Sequence, residues 1–479
     1  MNQSDRDKNL LKNIVLFGIS SFGTRLIYFF LIPLYTSNLS TGDYGAVDLI
    51  NIVISLITPI LTVGIAESVL RFTIIMPEKR ESILDCSLIV LMADMLILGA
   101  GIGLIWKFNR IELEPIYYIF LMLSFLLNTL YQIFCNFFRG ADQAGCMMAA
   151  GMLNAAVTCI SNIVFLAHMG LGVRGYLCAM LLGVFIADVF FILQIRRRKL
   201  YSFGGKRIDR LMFKSMIDYG KPLILNGISW WINNSLDRVI IVGILDTAAN
   251  GIYAVSYKIP SILSVFQTIF NQAWTVSAIQ EYGSDDKDSY YSKMYKVYEA
   301  GMFLICSLLL LLNMFLAKLL YAKDFFTAWH YTIPLMIAAL AGAMSIFMSS
   351  IFCAVGDTKT VGMTTLVGAI VNLGLNLLLI PKIGLLGAAV ATVISNIVIW
   401  FMRRIKSEMY IRLDTRPVRE LTCFILVVIQ GTLAYQEIHF YLLQAVVFCV
   451  LIVLFREEVG LYLHMARKVY DFKGKVWKK

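Results

Sequence analysis

The sequence predicts an all-α polytopic membrane protein of about 14 transmembrane helices, built as two parallel six-helix repeats (an N-lobe and a C-lobe) around a central cavity, with two further helices at the C-terminus. Three observations lead there. Of the 479 residues 59% are hydrophobic and only 15% charged, with a mean hydropathy of +0.75, whereas soluble domains carry about 25% charge. Apolar runs of about 20 residues, the length needed to cross a bilayer as a helix, recur from end to end. Finally, the stretch from Asn226 to Pro260 has already been written once. Sliding it back by 209 positions lays Gly227-Ile228-Ser229 on Gly18-Ile19-Ser20, Gly251 on Gly42 and Tyr253 on Tyr44. Both copies read as a long apolar helix, a short polar break and a second apolar helix opening on Gly-X-Tyr. Repetition in so apolar a chain points to a transporter made of two similar halves.

The expected spans lie near 10–37, 43–75, 84–106, 114–138, 144–168, 173–195, 217–244, 249–279, 295–320, 327–353, 360–380, 384–402, 418–436 and 439–455. They divide the chain into an N-lobe (1–199), a cytoplasmic amphipathic linker (200–216), a C-lobe (217–406) and two extra spans with a basic tail (407–479). With the N-terminus cytoplasmic, 32 Lys and Arg fall in the loops, tails and helix ends of that side; only Lys107, Arg110, Arg174, Lys318, Lys323 and Lys382 fall opposite. That asymmetry is the positive-inside rule and predicts both termini in the cytoplasm. The net charge of +11 is therefore topological and does not call for nucleic acid.

The first span carries Arg25 at mid-depth and Pro33 after it. Arginine at the bilayer centre costs at least ~2.5 kcal/mol, so it faces a water-filled pathway or a partner; a cavity role and a structural ion pair are the two readings. Proline within a span kinks it, as a moving hinge or as a packing feature. On the second span Glu67 and Arg71 are four apart in the favourable acid-first order, which suggests a helix ion pair. Asp48 lies nearer the outer end. Asp94 and Asp188 stand alone among aliphatics in mid-span. They read either as proton or sodium coupling sites or as hydrogen-bonded structural acids. Asn154 and Asn162 read as interhelical glue. In the linker, Ile208, Leu211, Met212 and Met216 recur at helical spacing among Lys206, Arg207, Arg210 and Lys214, a pattern suited to an anionic inner leaflet.

The seventh and eighth spans repeat the first two. Arg238 falls on position 29, one helical turn from Arg25. With the halves related by an axis along the membrane normal, both arginines point into one central space, where Lys258 and Lys221 join them. Asp237 is adjacent but does not share a face with Arg238. A cationic cavity suits an anionic, phosphate-bearing substrate. The repeat continues, with Gly140-Ala141-Asp142 answered by Val355-Gly356-Asp357, and Gly170 to Gly175 by Lys382 to Gly387. A period of six spans is even, so the halves share orientation.

Several function classes find no support. There is no G-x-x-x-x-G-K-[ST], so no Walker-type ATP site is expected. No loop between the spans exceeds roughly 25 residues, which leaves no room for a catalytic domain. The nine cysteines lack CxxC spacing and the four histidines lack metal-ligand spacing, so no disulfide framework, metal site or cofactor is expected beyond a coupling ion, H+ or Na+. The first apolar segment is too long for a signal peptide and should stay as a span.

Four stretches carry a family likeness: Gly42-Asp43-Tyr44-Gly45; Glu67 to Phe72; Gly251-Ile252-Tyr253-Ala254-Val255-Ser256-Tyr257-Lys258-Ile259-Pro260; and Gly356-Asp357-Thr358-Lys359 followed by Asn372, Asn376, Ile380-Pro381 and Gly384 to Thr392. From about residue 10 to 405 the sequence resembles the polysaccharide transporters of the multidrug/oligosaccharidyl-lipid/polysaccharide exporter (MOP) superfamily, the Wzx-type lipid-linked oligosaccharide flippases. The resemblance implies a non-enzymatic protein of the bacterial cytoplasmic membrane. It would carry an undecaprenyl-diphosphate-linked oligosaccharide (an O-antigen, capsule or exopolysaccharide unit) from the inner to the outer leaflet by alternating access. Its partners would be that glycan lipid, anionic membrane lipids, a polysaccharide polymerase and glycosyltransferases. Arg25 matches the family's habit of a first-helix arginine in the lumen; Arg238 and Lys258 rest on the repeat. The rival reading, a multidrug exporter of the same superfamily, predicts an acidic cavity for organic cations. A membrane glycosyltransferase or polymerase predicts a large external loop.

Overall fold

The structure, a computed structural model, describes residues 27, 29–107, 114–198, 200–201, 209–436 and 440–462, and among them every regular element is helical. Arg25 lies outside the described residues, as do 202–208 of the linker. By packing the chain divides into two compact units. One is Met1–Val239 with Asp246–Gly251; the other is Ile240–Leu245 with Ile252–Lys479. The division falls inside the seventh expected span rather than at the linker.

The first unit holds α1 (Ile32–Asn38), α2 (Thr41–Leu61), α3 (Ile65–Ile75), α4 (Arg80–Lys107), α5 (Pro115–Gly140), α6 (Ala144–Asn162), α7 (Gly172–Arg197) and most of α8 (Arg210–Ile244). Local chemistry starts them. Pro33 supplies no N–H to the backbone ladder, but Leu31 keeps helical geometry, donating to the Ile27 carbonyl at 3.2 Å and accepting from the Tyr35 N–H at 3.0 Å, so the helical run continues past the proline. Ser40 caps α2, accepting from the Asp43 N–H at 3.0 Å and donating to the Asp43 carboxylate at 2.7 Å. Asp209 caps α8 through the N–H groups of Leu211 and Met212, each at 3.1 Å. The single span expected over 43–75 is divided between α2 and α3. Val63 and Gly64 adopt φ of 50° and 62°, a left-handed turn that a helix cannot continue through. The core of this unit is aromatic, with Phe125, Phe134, Phe137, Phe138 and Phe191 packed together. Met212 and Met216 are buried in the same core. The helical spacing read in the linker is real from residue 210 onward, but its apolar face meets protein as the first turns of α8.

The second unit contains α9 (Thr247–Ser256), which begins in the first, then α10 (Pro260–Glu281), α11 (Lys287–Leu320), α12 (Ala328–Val355), α13 (Thr358–Ile383), α14 (Leu385–Ser407), α15 (Pro417–Ala434) and α16 (Tyr441–Leu454). The span expected over 249–279 breaks at 257–259, where Pro260 cannot extend α9 and instead opens α10. Both repeat copies thus interrupt their second span, at different depths. Helix α12 is the axis of this unit and is buried along most of its length, with α10, α11 and α14 around it. Its run of Ala338, Ala341, Gly342, Ala343 and Ser345 lets neighbours approach closely.

Ten helices among the described residues are long and apolar enough to cross a membrane. Helix α8 is not among them because Lys214, Asp218, Lys221, Asp237 and Arg238 punctuate it; the chemistry of that helix is elsewhere than in its hydrophobicity.

Candidate functional site

Helix α8 runs antiparallel along α2 and α3, touching them at intervals over its whole length. The Ser68 hydroxyl donates to the Met216 carbonyl at 2.8 Å. Next, Gly220 backs onto Val63 and Gly227 onto Pro59, both with no room for a side chain. Trp231 Nε1 donates to the Ile52 carbonyl at 2.9 Å, and Arg238 reaches Asp48. Small residues and single polar bonds of this kind hold helices together where no hydrophobic force distinguishes protein from lipid.

The seam ends in a polar knot. An Arg238 guanidinium nitrogen donates to both Asp48 oxygens, at 2.9 and 3.2 Å. Asn250 Nδ2 donates to Asp48 at 3.2 Å and to the Gly45 carbonyl at 3.0 Å. Beneath it the opening turns of α2 and α9 cross at backbone distance. A Cβ on Gly45 would stand 1.8 Å from the Thr247 carbonyl oxygen, and one on Gly251 would stand 2.0 Å from that of Thr41. The crossing thus falls at Gly251, which opens the second Gly-X-Tyr, and at Gly45, just after the first, and glycine is demanded at both by contact.

The residues singled out from sequence each have their own surroundings. Arg238 carries its charge against Asp48, each side chain about one-fifth exposed (20% and 19%), so its positive charge is neutralised where it stands. Asp237 accepts from the Arg238 backbone N–H at 2.9 Å. Lys258 lies in the break between α9 and α10, half-buried, and no carboxylate pairs with it among the described residues. Lys221 is exposed and bonds Asp218 at 2.7 Å one turn back, a surface pair. Arg71 lays its guanidinium over the Tyr219 ring, 4.6 Å from the centroid, and no ion pair joins it to Glu67 among the described residues. The helix spacing was right, but an aromatic face on α8 outcompetes an exposed carboxylate, because cation–π contact keeps its strength at a packed surface. Asp94 on α4 and Asp188 on α7 are both buried. One Asp94 oxygen and both Asp188 oxygens meet no donor among the described residues.

The sequence profile of the polysaccharide biosynthesis proteins matches residues 39–334, more than half of the chain. The chain belongs to the polysaccharide biosynthesis protein family. Curated proteins offer no significant match to this family member. Among solved structures it is similar to lipid II flippase MurJ in an inward closed conformation, with a TM-score of 0.67, 15% identity, and coverage of 94% of this chain and 99% of that one. It is also similar to a multidrug resistance MATE family transporter of the MOP superfamily in an inward-facing conformation, with a TM-score of 0.61, 15% identity, and coverage of 81% and 95%. A MOP superfamily transporter from Pyrococcus furiosus matches with a TM-score of 0.55, 15% identity, and coverage of 83% and 96%. The fold of this polysaccharide biosynthesis protein is that of the MOP transporters.

Two polar constructions of this family member escape sequence reading. Arg403 on α14 is buried, and no carboxylate pairs with it among the described residues. It donates to the Thr364 and Thr365 hydroxyls at 3.0 and 2.8 Å, to the Ser345 hydroxyl and carbonyl at 3.0 and 3.2 Å, and to the Val361 carbonyl at 3.4 Å. Beside it, α11, α15 and residues 456–462 enclose Glu299, Arg419 and Glu458. The available signal was only a basic residue inside a helix end, which a loop-counting rule assigns to topology.

Proposed function

We propose that this protein is a flippase that carries an undecaprenyl-diphosphate-linked oligosaccharide from the inner to the outer leaflet of a bacterial cytoplasmic membrane by alternating access. The observation that carries the reading is membership of the polysaccharide biosynthesis family in a chain with a MOP transporter fold. The head group of such a lipid is a diphosphate, and cationic side chains are what it asks for. Arg25, Arg238 and Lys258 are assigned to it, with Lys221 at the cytoplasmic end. Lys258 is ready for an anion as it stands. Arg238 has to exchange Asp48 for the diphosphate, so Asp48 cancels that arginine's charge until an anion replaces it. Binding in that form discriminates against weakly charged lipids, because only a strong anion offsets the loss of the Asp48 bond.

On the same reading Asp94 and Asp188 are the coupling acids, since a buried carboxyl without donors is neutral only when it holds a proton. Both termini face the cytoplasm, and a polymerase and glycosyltransferases supply and consume the glycan lipid.

The test is lipid extraction from cells lacking the protein. Undecaprenyl-diphosphate oligosaccharide should accumulate on the cytoplasmic side. The wild-type protein should relieve the accumulation, whereas Arg25→Ala and Lys258→Ala, inserted at normal levels, should not. No accumulation, together with new sensitivity to cationic dyes, would replace the flippase by a multidrug exporter.

A further inference from the structure

Within the second unit, α11, α14, α15 and residues 456–462 bring five ionisable side chains into one buried node. Arg419 donates to Glu299 Oε2 at 3.2 Å and to Glu458 Oε1 at 2.8 Å, and its guanidinium lies 4.8 Å from the centre of the Phe455 ring. Next to it Arg404 donates to Glu420 at 3.0 Å, and the Tyr295 hydroxyl donates to the other Glu420 oxygen. Glu420 is therefore fully matched, with one guanidinium and one hydroxyl for its two oxygens. Arg419 is not matched, for it alone serves two carboxylates. Glu299 and Glu458 are 2% and 3% exposed, and Glu299 Oε1 and Glu458 Oε2 are buried with no donor among the described residues.

With every group ionised the node holds three carboxylates against two guanidiniums, and the uncompensated charge sits on Arg419's pair of glutamates. Among the described residues no cation other than Arg419 lies within ion-pairing distance of either glutamate. Facing the pair are Tyr295 from α11, Arg404 from α14, Glu420 and Cys423 from α15, and Tyr462, whose hydroxyl is committed to the Val297 carbonyl. Helix α12 contributes the apolar Phe347 ring, 5.2 Å from that of Tyr295. An unmatched charge in a place this dry is removed by taking up a proton.

We propose that Glu299 and Glu458, bridged by Arg419, form a proton-binding site that holds one dissociable proton. Loading transfers a proton from hydronium in the adjoining water: one O–H bond of hydronium breaks, one O–H bond forms at one of the two donor-less oxygens, and a water molecule is left. The node opens toward a cavity of about 420 Å³ lined by Glu458 together with Ser292, Lys293, Lys296, Arg412 and Glu457. Lys296 pairs there with Asp414 at 2.6 Å and Glu457 with Arg416 at 3.0 Å, while Lys293 and Arg412 stand on the cavity wall beyond ion-pairing distance of Glu458. This site is distinct from Asp94 and Asp188, which lie in the other unit. It fastens the last helices of the chain to α11, and so ties their attachment to the proton's presence.

Infrared spectroscopy of the purified protein tests it, because a protonated carboxyl has its own carbonyl stretch. Wild type should show an acid band that shifts when the protein is grown on isotope-labelled glutamate, which separates it from any aspartic acid. Glu299→Gln and Glu458→Gln each leave Arg419 with one carboxylate, and each should lose that band entirely; Glu420→Gln should keep it. The absence of any acid band that shifts with labelled glutamate overturns the proposal without recourse to any variant. So does a full band in both Gln variants. A carboxylate band in wild type that moves on adding sodium in place of choline, with no acid band, would make the occupant a metal cation and overturn it as well.

Discussion

Replacing Gly45 by alanine adds one methyl at the point where α2 crosses α9. The methyl would stand 1.8 Å from the Thr247 carbonyl oxygen and 2.7 Å from the Gly251 nitrogen. Ordinary contact begins near 3.4 Å, so the backbones must part by about 1.6 Å. That movement breaks the 3.0 Å bond from Asn250 to the Gly45 carbonyl and loosens the one from Asn250 to Asp48. Overpacking costs about 1–3 kcal/mol, and the lost hydrogen bond about 0.5–1.5 kcal/mol more. A destabilisation of about 2–4 kcal/mol is expected, a shift of about thirtyfold to about eight-hundredfold toward the unfolded state. The control is Gly42→Ala, three residues earlier, where the new methyl meets only the Ser40 hydroxyl at 3.9 Å. Both variants gain alanine's helix preference of about 1 kcal/mol, so their difference isolates the crossing. The assay is denaturant unfolding of the purified protein in detergent micelles, followed by tryptophan fluorescence. Equal stability of the two variants, within about 0.5 kcal/mol, would refute the close crossing and the glycine argument with it.

Three further outcomes are expected. Asp48→Asn should leave Arg238 with its charge uncancelled and raise affinity for inorganic pyrophosphate about fivefold to tenfold, or about 1–1.4 kcal/mol, by titration calorimetry; unchanged affinity would remove Arg238 from the anion site. Arg403→Lys keeps the charge but not the planar fork, and strands hydroxyls and carbonyls that five bonds now satisfy. It should cost about 2–4 kcal/mol in the same unfolding assay, and a neutral result would mean that the buried fork is dispensable. Asp209 has its carboxyl held below the usual range, first by the hydrogen bond from Lys79 and then by the N–H of Met212. Its contribution is therefore complete above the ordinary carboxylate range and is lost only as pH falls through the lowered value. Amide exchange in the first turn of α8 should accelerate in wild type only in strong acid, and at neutral pH in Asp209→Asn. Equal rates at neutral pH would show that the cap does not hold that turn.

Much of the fold was legible before any coordinates. Span length, apolar composition and the repeat are periodic properties of short windows, and a helix crossing a bilayer satisfies its backbone internally, so local sequence suffices. The break before Pro260 has a local cause as well, yet span counting alone carried the helix straight through it. The break at Val63 and Gly64 has no such cause, because neither residue forces a left-handed turn unless the surrounding packing holds it there. Glu67 and Arg71 show the limit of spacing rules: the helix face was correct, and an aromatic ring from 148 positions away in sequence took the guanidinium.

Charge partnership was decided by tertiary structure alone. Arg238 reads in sequence as a free cation because Asp48 is 190 residues distant. Only the antiparallel run of α8 along α2 and α3 brings the two within bonding distance and cancels the charge. The same holds for Glu299, Arg419 and Glu458, three unremarkable charges near helix ends that become one buried node when the last helices pack on α11. Hydrophobic patterning says which residues leave water and when along the chain they do so. Which charges meet once water is gone depends on helix register and approach, set here by glycines such as Gly45, Gly220 and Gly251 that fit only because something else stands where their side chains would be.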